Sequence, residues 1–149
     1  MSKKPGAAVW VGRGTYPYLR VVAGTARGRR LKMVPGDAAR PVMDRVKQAL
    51  FNILRPDLPG SAFLDLFAGT GSVGIEALSQ GAARATLVDI ERAAVETIHA
   101  NLIATGLAAT ATVVRGDAFL FVRGAHPQPY DIVYVAPPQY HRLWARALL

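Results

Sequence analysis

Cysteine is absent from this chain of 149 residues, and histidine is scarce. Without cysteine the protein can form neither a disulfide nor a thiolate metal site, and the three histidines are too scattered for a ligand cluster: His99, His126 and His141. No long apolar run follows the amino terminus, so the sequence predicts neither a signal peptide nor a membrane span. We therefore expect one cytoplasmic, monomeric domain with an ordinary core and no metal.

Acidic residues are scarce in the first third of the chain. Residues 1–47 hold 11 Lys or Arg against two Asp, whereas residues 48–149 hold seven basic residues against eight acidic ones. This asymmetry favours a polyanion-binding segment joined to a nearly neutral globular unit, with a solvated tail as the alternative. We expect a flexible basic N-terminus (1–18), a hairpin and helix that bind a polyanion (19–58), and a globular core (59–149).

The hydrophobic pattern predicts a β-hairpin followed by alternating strands and helices. Residues 19–23 and 30–34 have β character, with two glycines between them. Residues 41–54 predict a helix whose apolar face carries Val46, Leu50 and Leu54, with Ile53 beside it. Strands are predicted at 62–66, 85–88, 112–114 and 131–135, and helices at about 73–81, 94–105 and 119–122. This order predicts a mostly parallel, doubly wound α/β sheet.

The strongest motif follows the strand at 62–66. Gly69, Gly71 and Gly74 stand in G-x-G-x-x-G spacing between this strand and a helix, the context of a nucleotide-binding turn. Asp65 lies four residues before Gly69, where a carboxylate disfavours a pyrophosphate and suits a ligand with a positive group. S-adenosylmethionine carries an ammonium and a sulfonium. The run 65–71 resembles the first motif of class I methyltransferases; a nicotinamide oxidoreductase and a purely structural turn remain alternatives.

Two further acids end predicted strands, at the edge where open α/β sheets bind ligands. Asp89 is placed to accept from ribose hydroxyls, with Ile90 against the adenine, and Asp117 is placed to accept from the adenine amino group. For both acids, a turn or helix-capping role is the alternative. The predicted cofactor-binding set is Asp65, Phe67, Ala68, Gly69, Gly71, Asp89, Ile90, Asp117 and Ala118.

The last predicted strand leads into Ala136-Pro137-Pro138-Gln139-Tyr140. Consecutive prolines fix the backbone and donate no N–H, so rigid carbonyls would face the crevice beside the glycine turn. Such acceptors would bind the N–H groups of an exocyclic base amine and localise its lone pair for attack on a methyl group. We assign Ala136, Pro137, Pro138 and Tyr140 to this reactive site. Tyr140 would stack on a base taken out of its helix, or is an ordinary surface aromatic.

Five blocks together resemble the RsmD family, from about residue 19 to the end of the chain: residues 20–31, 40–52, 65–74, 86–91 and 136–140. The resemblance implies a Rossmann-like class I fold and methylation of guanine N2 in 16S ribosomal RNA, free or within the small subunit, with S-adenosylmethionine as cofactor. It also implies that hairpin arginines contact RNA phosphates and that the segment from Arg40 to Arg45 borders the cofactor or target base. The predicted RNA-binding residues are Arg27, Arg29, Arg30, Arg40 and Arg45.

The chain departs from the family pattern at its reactive motif and in its length. The family commonly has Asp-Pro-Pro followed by an aromatic residue, whereas Ala136 replaces the acid here and Tyr140 comes one place late. A full class I methyltransferase has three more strands than the chain accommodates, so we expect a truncated chain. A catalytically impaired RNA-binding or assembly protein and a DNA amino-methyltransferase are the alternative functions.

Overall fold

The computed structural model describes residues 18–36 and 44–137. Within those two ranges the chain forms six strands and four α-helices. The hairpin and first helix are β1 (Leu19–Arg20), β2 (Arg30–Leu31) and α1 (Asp44–Leu54). The sheet and its helices follow as β3 (Ala62–Leu66), α2 (Ser72–Ser79), β4 (Arg84–Asp89), α3 (Arg92–Thr105), β5 (Ala111–Arg115), α4 (Ala118–Arg123) and β6 (Ile132–Val135). None of the described helices is long and apolar enough to cross a membrane.

The central sheet is parallel and has the strand order β5-β4-β3-β6. The chain runs outward from β3 through β4 to β5, then crosses to the other side of β3 for β6. The predicted doubly wound α/β architecture is confirmed, and no limit of a sheet strand moves by more than one residue. Because the chain reverses direction at β3, the carboxyl ends of β3 and β6 flank a crevice of the kind that binds ligands in open α/β sheets.

The hairpin is shorter than the sequence predicts. β1 and β2 pair antiparallel over two residues each, with Leu19 opposite Leu31. Beyond them, the N–H groups of Val22 and Ala23 donate to the Glu76 carboxylate, and that of Lys32 donates to a side-chain amide on α3. Both predicted strands therefore end where core side chains take up the backbone groups that a longer ladder would use.

The predicted buried face of α1 is right for Leu50 and Leu54 and wrong for Val46 and Ile53. Val46 and Ile53 are 57% and 75% exposed, whereas Lys47 and Phe51 are buried. Phe51 stacks on Phe63 of β3 with ring centroids 6.4 Å apart. A lysine can turn inward here because a buried carboxylate compensates its charge, an arrangement that hydrophobic periodicity does not register. Two predicted face residues are partly buried against the core: Leu50 and Leu54.

The hairpin and α1 share one hydrophobic core with the sheet. Leu19, Val21 and Leu31 lie in the same buried cluster as Ile75, Leu87 and Ile98 of the α/β layers. The hairpin is thus fixed against α2 and α3. Any ligand held by the hairpin would lie on a surface continuous with these helices.

Candidate active site

The glycine turn and the end of β6 lie side by side at the switch point of the sheet. Leu66 is paired with Val135 across β3 and β6, so the next residues, Phe67 and Ala136, leave adjacent strand ends in the same direction. The structure therefore brings together the predicted cofactor turn and the first part of the predicted reactive motif. Two predicted reactive residues, Pro138 and Tyr140, lie outside the described residues.

The three motif glycines meet different steric demands. A Cβ added at Gly69 would contact nothing within 4 Å, so the turn faces open space there. Gly71 has φ 82° and precedes α2 in a left-handed conformation that favours glycine. At Gly74 a Cβ would lie 2.7 Å from Leu87 Cδ2, so α2 packs onto β4 only because this residue lacks a side chain.

Phe67 gives the turn a strained backbone. Its φ is 60°, the only positive φ of a non-glycine residue in the described ranges. An aromatic residue in this region costs about 1–2 kcal/mol. The Ala68 N–H, which donates to the Val88 carbonyl at 2.9 Å, and the Phe119 ring, edge-on at 5.7 Å, hold the turn on both sides of Phe67. Strain of this kind concentrates at ligand-binding sites.

The N–H groups of the turn are taken up by carboxylates and carbonyls. Gly69 donates to Asp89 Oδ2 at 2.8 Å, and Gly74 donates to Asp65 Oδ2 at 2.9 Å. Gly71 donates to the Ala68 carbonyl at 2.8 Å. A dinucleotide turn offers such amides to a pyrophosphate, but here two acids occupy them and would repel a phosphate. The geometry therefore disfavours the nicotinamide alternative.

Asp65 has a buried carboxylate oxygen without a partner. The residue is 1% exposed, and Oδ1 is one of three buried polar side-chain atoms in the described ranges that lack a hydrogen bond. Burial raises the pKa of Asp65 to about 7, and the nearby charge of Asp89 adds to the rise. The hydrogen bond from the Gly74 N–H acts in the opposite direction and lowers this pKa. A second unpartnered atom, Ser72 Oγ, belongs to the same turn. An ammonium donor from a ligand would satisfy such acceptors.

Asp89 and Ile90 lie at the carboxyl end of β4, as the sequence predicts. Asp89 accepts from Gly69 through Oδ2 and from the Glu91 N–H through Oδ1 at 2.9 Å. Each carboxylate oxygen has capacity for a further donor, so ribose hydroxyls fit beside the existing bonds. Ile90 is 56% exposed, which leaves an apolar side chain available to an adenine face. Both ligand contacts stay predictions.

Asp117 is the N-cap of α4. Its Oδ1 accepts from the N–H groups of Phe119 and Leu120 at 2.7 and 3.2 Å, the usual arrangement for an aspartate in this position. The capping alternative named from the sequence is therefore present in the structure. Ala118 behind it is buried. The adenine contact expected of Asp117 stays a prediction. Because the capping bonds use Oδ1, Oδ2 would be the atom that accepts from the adenine amino group.

The end of β6 offers backbone acceptors. Ala136 is half-buried and Pro137 is buried, and alanine contributes no side-chain acceptor. Tyr134 is the register partner of Asp65, and side chains of paired residues share one face of a sheet. Burial, with the Asp65 charge adding to it, raises the pKa of Tyr134. Neither Ala136 nor Pro137 therefore brings a side-chain acceptor to the crevice, whereas the turn side has the carboxylates of Asp65 and Asp89.

The basic residues of the hairpin are exposed but partly engaged. Arg27 is exposed in the turn between β1 and β2. Arg29 Nη1 donates to the Ala104 carbonyl at 2.6 Å, and the Arg30 guanidinium lies 3.8 Å from the centre of the Tyr18 ring. Arg45 is exposed on α1, and Arg40 lies outside the described residues. An arginine has five N–H donors, so these contacts leave capacity for phosphate.

Sequence reasoning missed the buried ionic pair beneath the hairpin. Lys47 Nζ lies 3.0 Å from Glu76 Oε1, with both side chains fully buried, and donates to the Arg20 carbonyl at 2.6 Å. Burial lowers the pKa of Lys47, while Glu76 opposes that shift. The glutamate also accepts from Gln80 Nε2. A charged residue within the apolar stretch of α2 was the available signal.

Comparison with known proteins assigns the chain to a family. The model of the family described as conserved hypothetical protein 95 matches residues 19–149. The chain belongs to this family. The resemblance to the RsmD family that the sequence indicated is confirmed. A curated relative in Escherichia coli, ribosomal RNA small subunit methyltransferase D, is 42% identical over 120 residues.

That relative is matched over 80% of this chain and 60% of its own length. A putative rRNA methyltransferase of Bacillus subtilis is 44% identical over 100 residues, which is 67% of this chain and 54% of the relative. The chain therefore spans a little over half the length of these curated relatives.

Solved structures have the same fold. A putative methyltransferase from Escherichia coli gives a TM-score of 0.69 at 42% identity, covering 81% of this chain and 64% of its own. Another putative methyltransferase, solved with S-adenosylhomocysteine (SAH), gives 0.56 at 28% identity, covering 64% and 26%. The chain thus has the Rossmann-like class I methyltransferase fold, preceded by an antiparallel hairpin.

Proposed function

We propose that this chain forms the cofactor-binding and catalytic part of an enzyme that methylates N2 of a guanine in small-subunit ribosomal RNA. S-adenosylmethionine, when bound, supplies a methyl group activated by its sulfonium. The observation that carries the proposal is the glycine turn at the switch point, with the unpartnered Asp65 oxygen on one side and Ala136 on the other. The cytoplasm is the expected location for such a substrate.

The cofactor half of the proposal rests on charge. Asp65 Oδ1 is buried without a donor, which suits the ammonium of an amino-acid moiety. Asp89 holds the turn through the Gly69 N–H and has room for ribose hydroxyls. Open space at Gly69 lets a ligand approach the backbone. A nucleoside that carries an amino-acid group and no phosphate fits these features better than a dinucleotide does.

The target half rests on the backbone after β6. The carbonyls of Ala136 and Pro137 would accept from the N–H groups of the guanine amine, which localises its lone pair on nitrogen. In the reaction that nitrogen forms a bond to the methyl carbon, the carbon–sulfur bond breaks with its electron pair on sulfur, and the amine then loses a proton to solvent. No carboxylate base is required, because the proton is acidic once the methyl group is attached. Alignment of the two reactants supplies much of the rate.

The assignment of RNA as the substrate rests on the charge distribution. Exposed arginines of the hairpin and α1 would contact phosphates, which positions the enzyme without reading sequence. The names of the curated relatives, which refer to rRNA, favour RNA over DNA. A competition between RNA and DNA substrates decides this point.

Cofactor binding is tested by titration calorimetry with SAH. We expect the wild-type chain to bind, and the Asp89→Ala variant to bind at least about tenfold more weakly through loss of the ribose acceptor and the turn anchor. Asp57→Ala removes an exposed acid before β3 and serves as the matched control with unchanged affinity. Absence of SAH binding by the folded wild-type chain would overturn the proposal.

The second candidate is an RNA-binding protein that has lost catalysis. Ala136 favours it, since this residue brings no side-chain acceptor to the target amine. Transfer of labelled methyl from S-adenosylmethionine to a small-subunit RNA transcript separates the two candidates. Transfer that disappears in a Gly71→Val variant supports the enzyme, whereas RNA binding without transfer supports the second candidate.

A further inference from the structure

Asn101 of α3 joins the segment after β2 to the glycine turn. Its side chain is fully buried. Nδ2 donates to the carbonyl of Thr70, between the first two motif glycines, at 2.9 Å and to the carbonyl of Lys32 at 3.1 Å. Oδ1 accepts from the Lys32 N–H at 2.7 Å. One side-chain amide therefore satisfies both backbone groups of Lys32 and the centre of the turn.

The same helix contacts the basic hairpin and the turn elsewhere. Arg29 donates to the Ala104 carbonyl near the end of α3. Atoms of Ile98 lie 3.2 and 3.3 Å from a Cβ built on Gly71, so this side chain packs directly under the turn. Lys32 follows β2, two residues after Arg30. α3 thus contacts both the basic hairpin and the proposed cofactor turn, and Asn101 is bonded to Lys32 just after β2 and to Thr70 within the turn.

We infer that Asn101 is a positioning residue that couples RNA binding at the hairpin to cofactor binding at the glycine turn. The inference rests on the proposed function, which assigns those two ligands to those two segments. A planar amide with fixed bonds on both sides transmits displacement, because a shift of Lys32 alone would leave a buried polar group unpaired. A ligand that orders one segment therefore reduces the cost of ordering the other, which produces positive coupling.

The coupling is measured as a ratio of affinities. The dissociation constant of SAH is determined by calorimetry with and without a saturating small-subunit rRNA transcript. We expect RNA to tighten SAH binding by about fivefold or more in the wild-type chain, and the ratio to fall close to one in Asn101→Leu. Thr105→Val is the matched control: this residue is buried on the same helix, its hydroxyl bonds to the Asn101 and Leu102 carbonyls stay within α3, and the variant should retain the wild-type ratio.

The outcomes separate the inference from the proposed function. If the folded wild-type chain binds no SAH or no RNA, the proposed function fails. If it binds both and the ratio is one, or if Asn101→Leu keeps the full ratio, the inference alone is overturned. If the role of Asn101 were purely structural, Asn101→Leu would weaken the binding of SAH and of RNA. The ratio of SAH affinities with and without RNA would then stay at its wild-type value.

A wild-type measurement covers the case in which Asn101→Leu does not fold. Hydrogen exchange of the Lys32 amide should slow by about threefold or more on addition of SAH alone. The Gly28 amide, which donates to Val21 within the hairpin at 2.9 Å, is the internal control and should respond less. An unchanged Lys32 amide in the SAH-saturated chain overturns the inference.

Discussion

The two sides of the crevice differ in the side chains that they present. On the turn side, Asp65 and Asp89 accept from backbone N–H groups of the glycine turn. Glu76 of α2, the helix after this turn, accepts from two backbone N–H groups that follow β1. On the β6 side, the strand ends at Val135 just before Ala136, and Val133 and Val135 are 49% and 39% exposed. Under the proposed function, the cofactor would be recognised by the carboxylates of Asp65 and Asp89, and the target base by backbone carbonyls after β6.

The largest expected effect is on stability and concerns the buried pair. Glu76→Leu leaves the Lys47 ammonium buried without its counter-charge, so we expect a loss of about 3–5 kcal/mol in the free energy of unfolding by urea denaturation. Lys47→Met should cost less, because Glu76 keeps three N–H donors: Val22 N, Ala23 N and Gln80 Nε2. Equal losses for the two variants would contradict this account of the turn side.

A smaller effect is expected where α2 packs onto β4. Gly74→Ala places a Cβ 2.7 and 2.9 Å from Leu87 atoms, so overpacking should cost about 1–3 kcal/mol in thermal unfolding and displace the turn enough to weaken SAH binding. Gly106→Ala is the control, since φ is 74° there but nothing lies within 4 Å. It should cost about 1 kcal/mol with unchanged SAH affinity. If Gly106→Ala weakened SAH binding as much as Gly74→Ala, the local packing argument would fail.

The smallest effect is expected on the β6 side. Ala136→Asp restores a side-chain acceptor beside the target amine, and we expect kcat for methyl transfer to rise by up to about tenfold, equivalent to about 1.4 kcal/mol. SAH affinity should stay within about twofold of wild type. The measurement is single-turnover methylation of an rRNA transcript alongside calorimetry. A change in SAH affinity with no change in rate would show that the two sides are not separable.

The sequence predicted the sheet better than the packing of the hairpin. Short, mostly apolar runs predicted β3 at its observed limits and β4 within one residue at each end, and Gly106 ends α3 in the left-handed conformation expected of it. The buried Lys47 was missed because periodicity counts a lysine as a solvent-facing residue. Asn101 was missed because its partners, backbone groups of Lys32 and Thr70, are distant in sequence.

The site was predictable where one local motif specifies it. Asp65, Gly69, Gly71 and Asp89 converge because parallel strands end at the same edge of a sheet. The double use of Asp89, as the anchor of Gly69 and the proposed ribose acceptor, required coordinates. So did the engagement of Arg29 with the end of α3.

The raised pKa of Asp65 gives the ligand-free chain a pH dependence. The folded-state pKa is about 7, above the unfolded value of 3.8, so the folded state retains a proton that the unfolded state has released. Stability from this group is therefore complete below about pH 4 and is lost as the pH rises to about 7. Asp65→Asn should remove this component of the urea-denaturation profile.

The most direct test of the account is SAH affinity as a function of pH between about 5.5 and 7.5, below the pKa of an α-amino group. An ammonium on Asp65 requires the ionised carboxylate, so binding below pH 7 must release its proton. We predict that the wild-type affinity rises with pH, approaching tenfold per unit below about pH 7, and that Asp65→Asn is flat. A flat wild-type profile over this range, in a chain that binds SAH, would contradict the assignment of Asp65 to the cofactor.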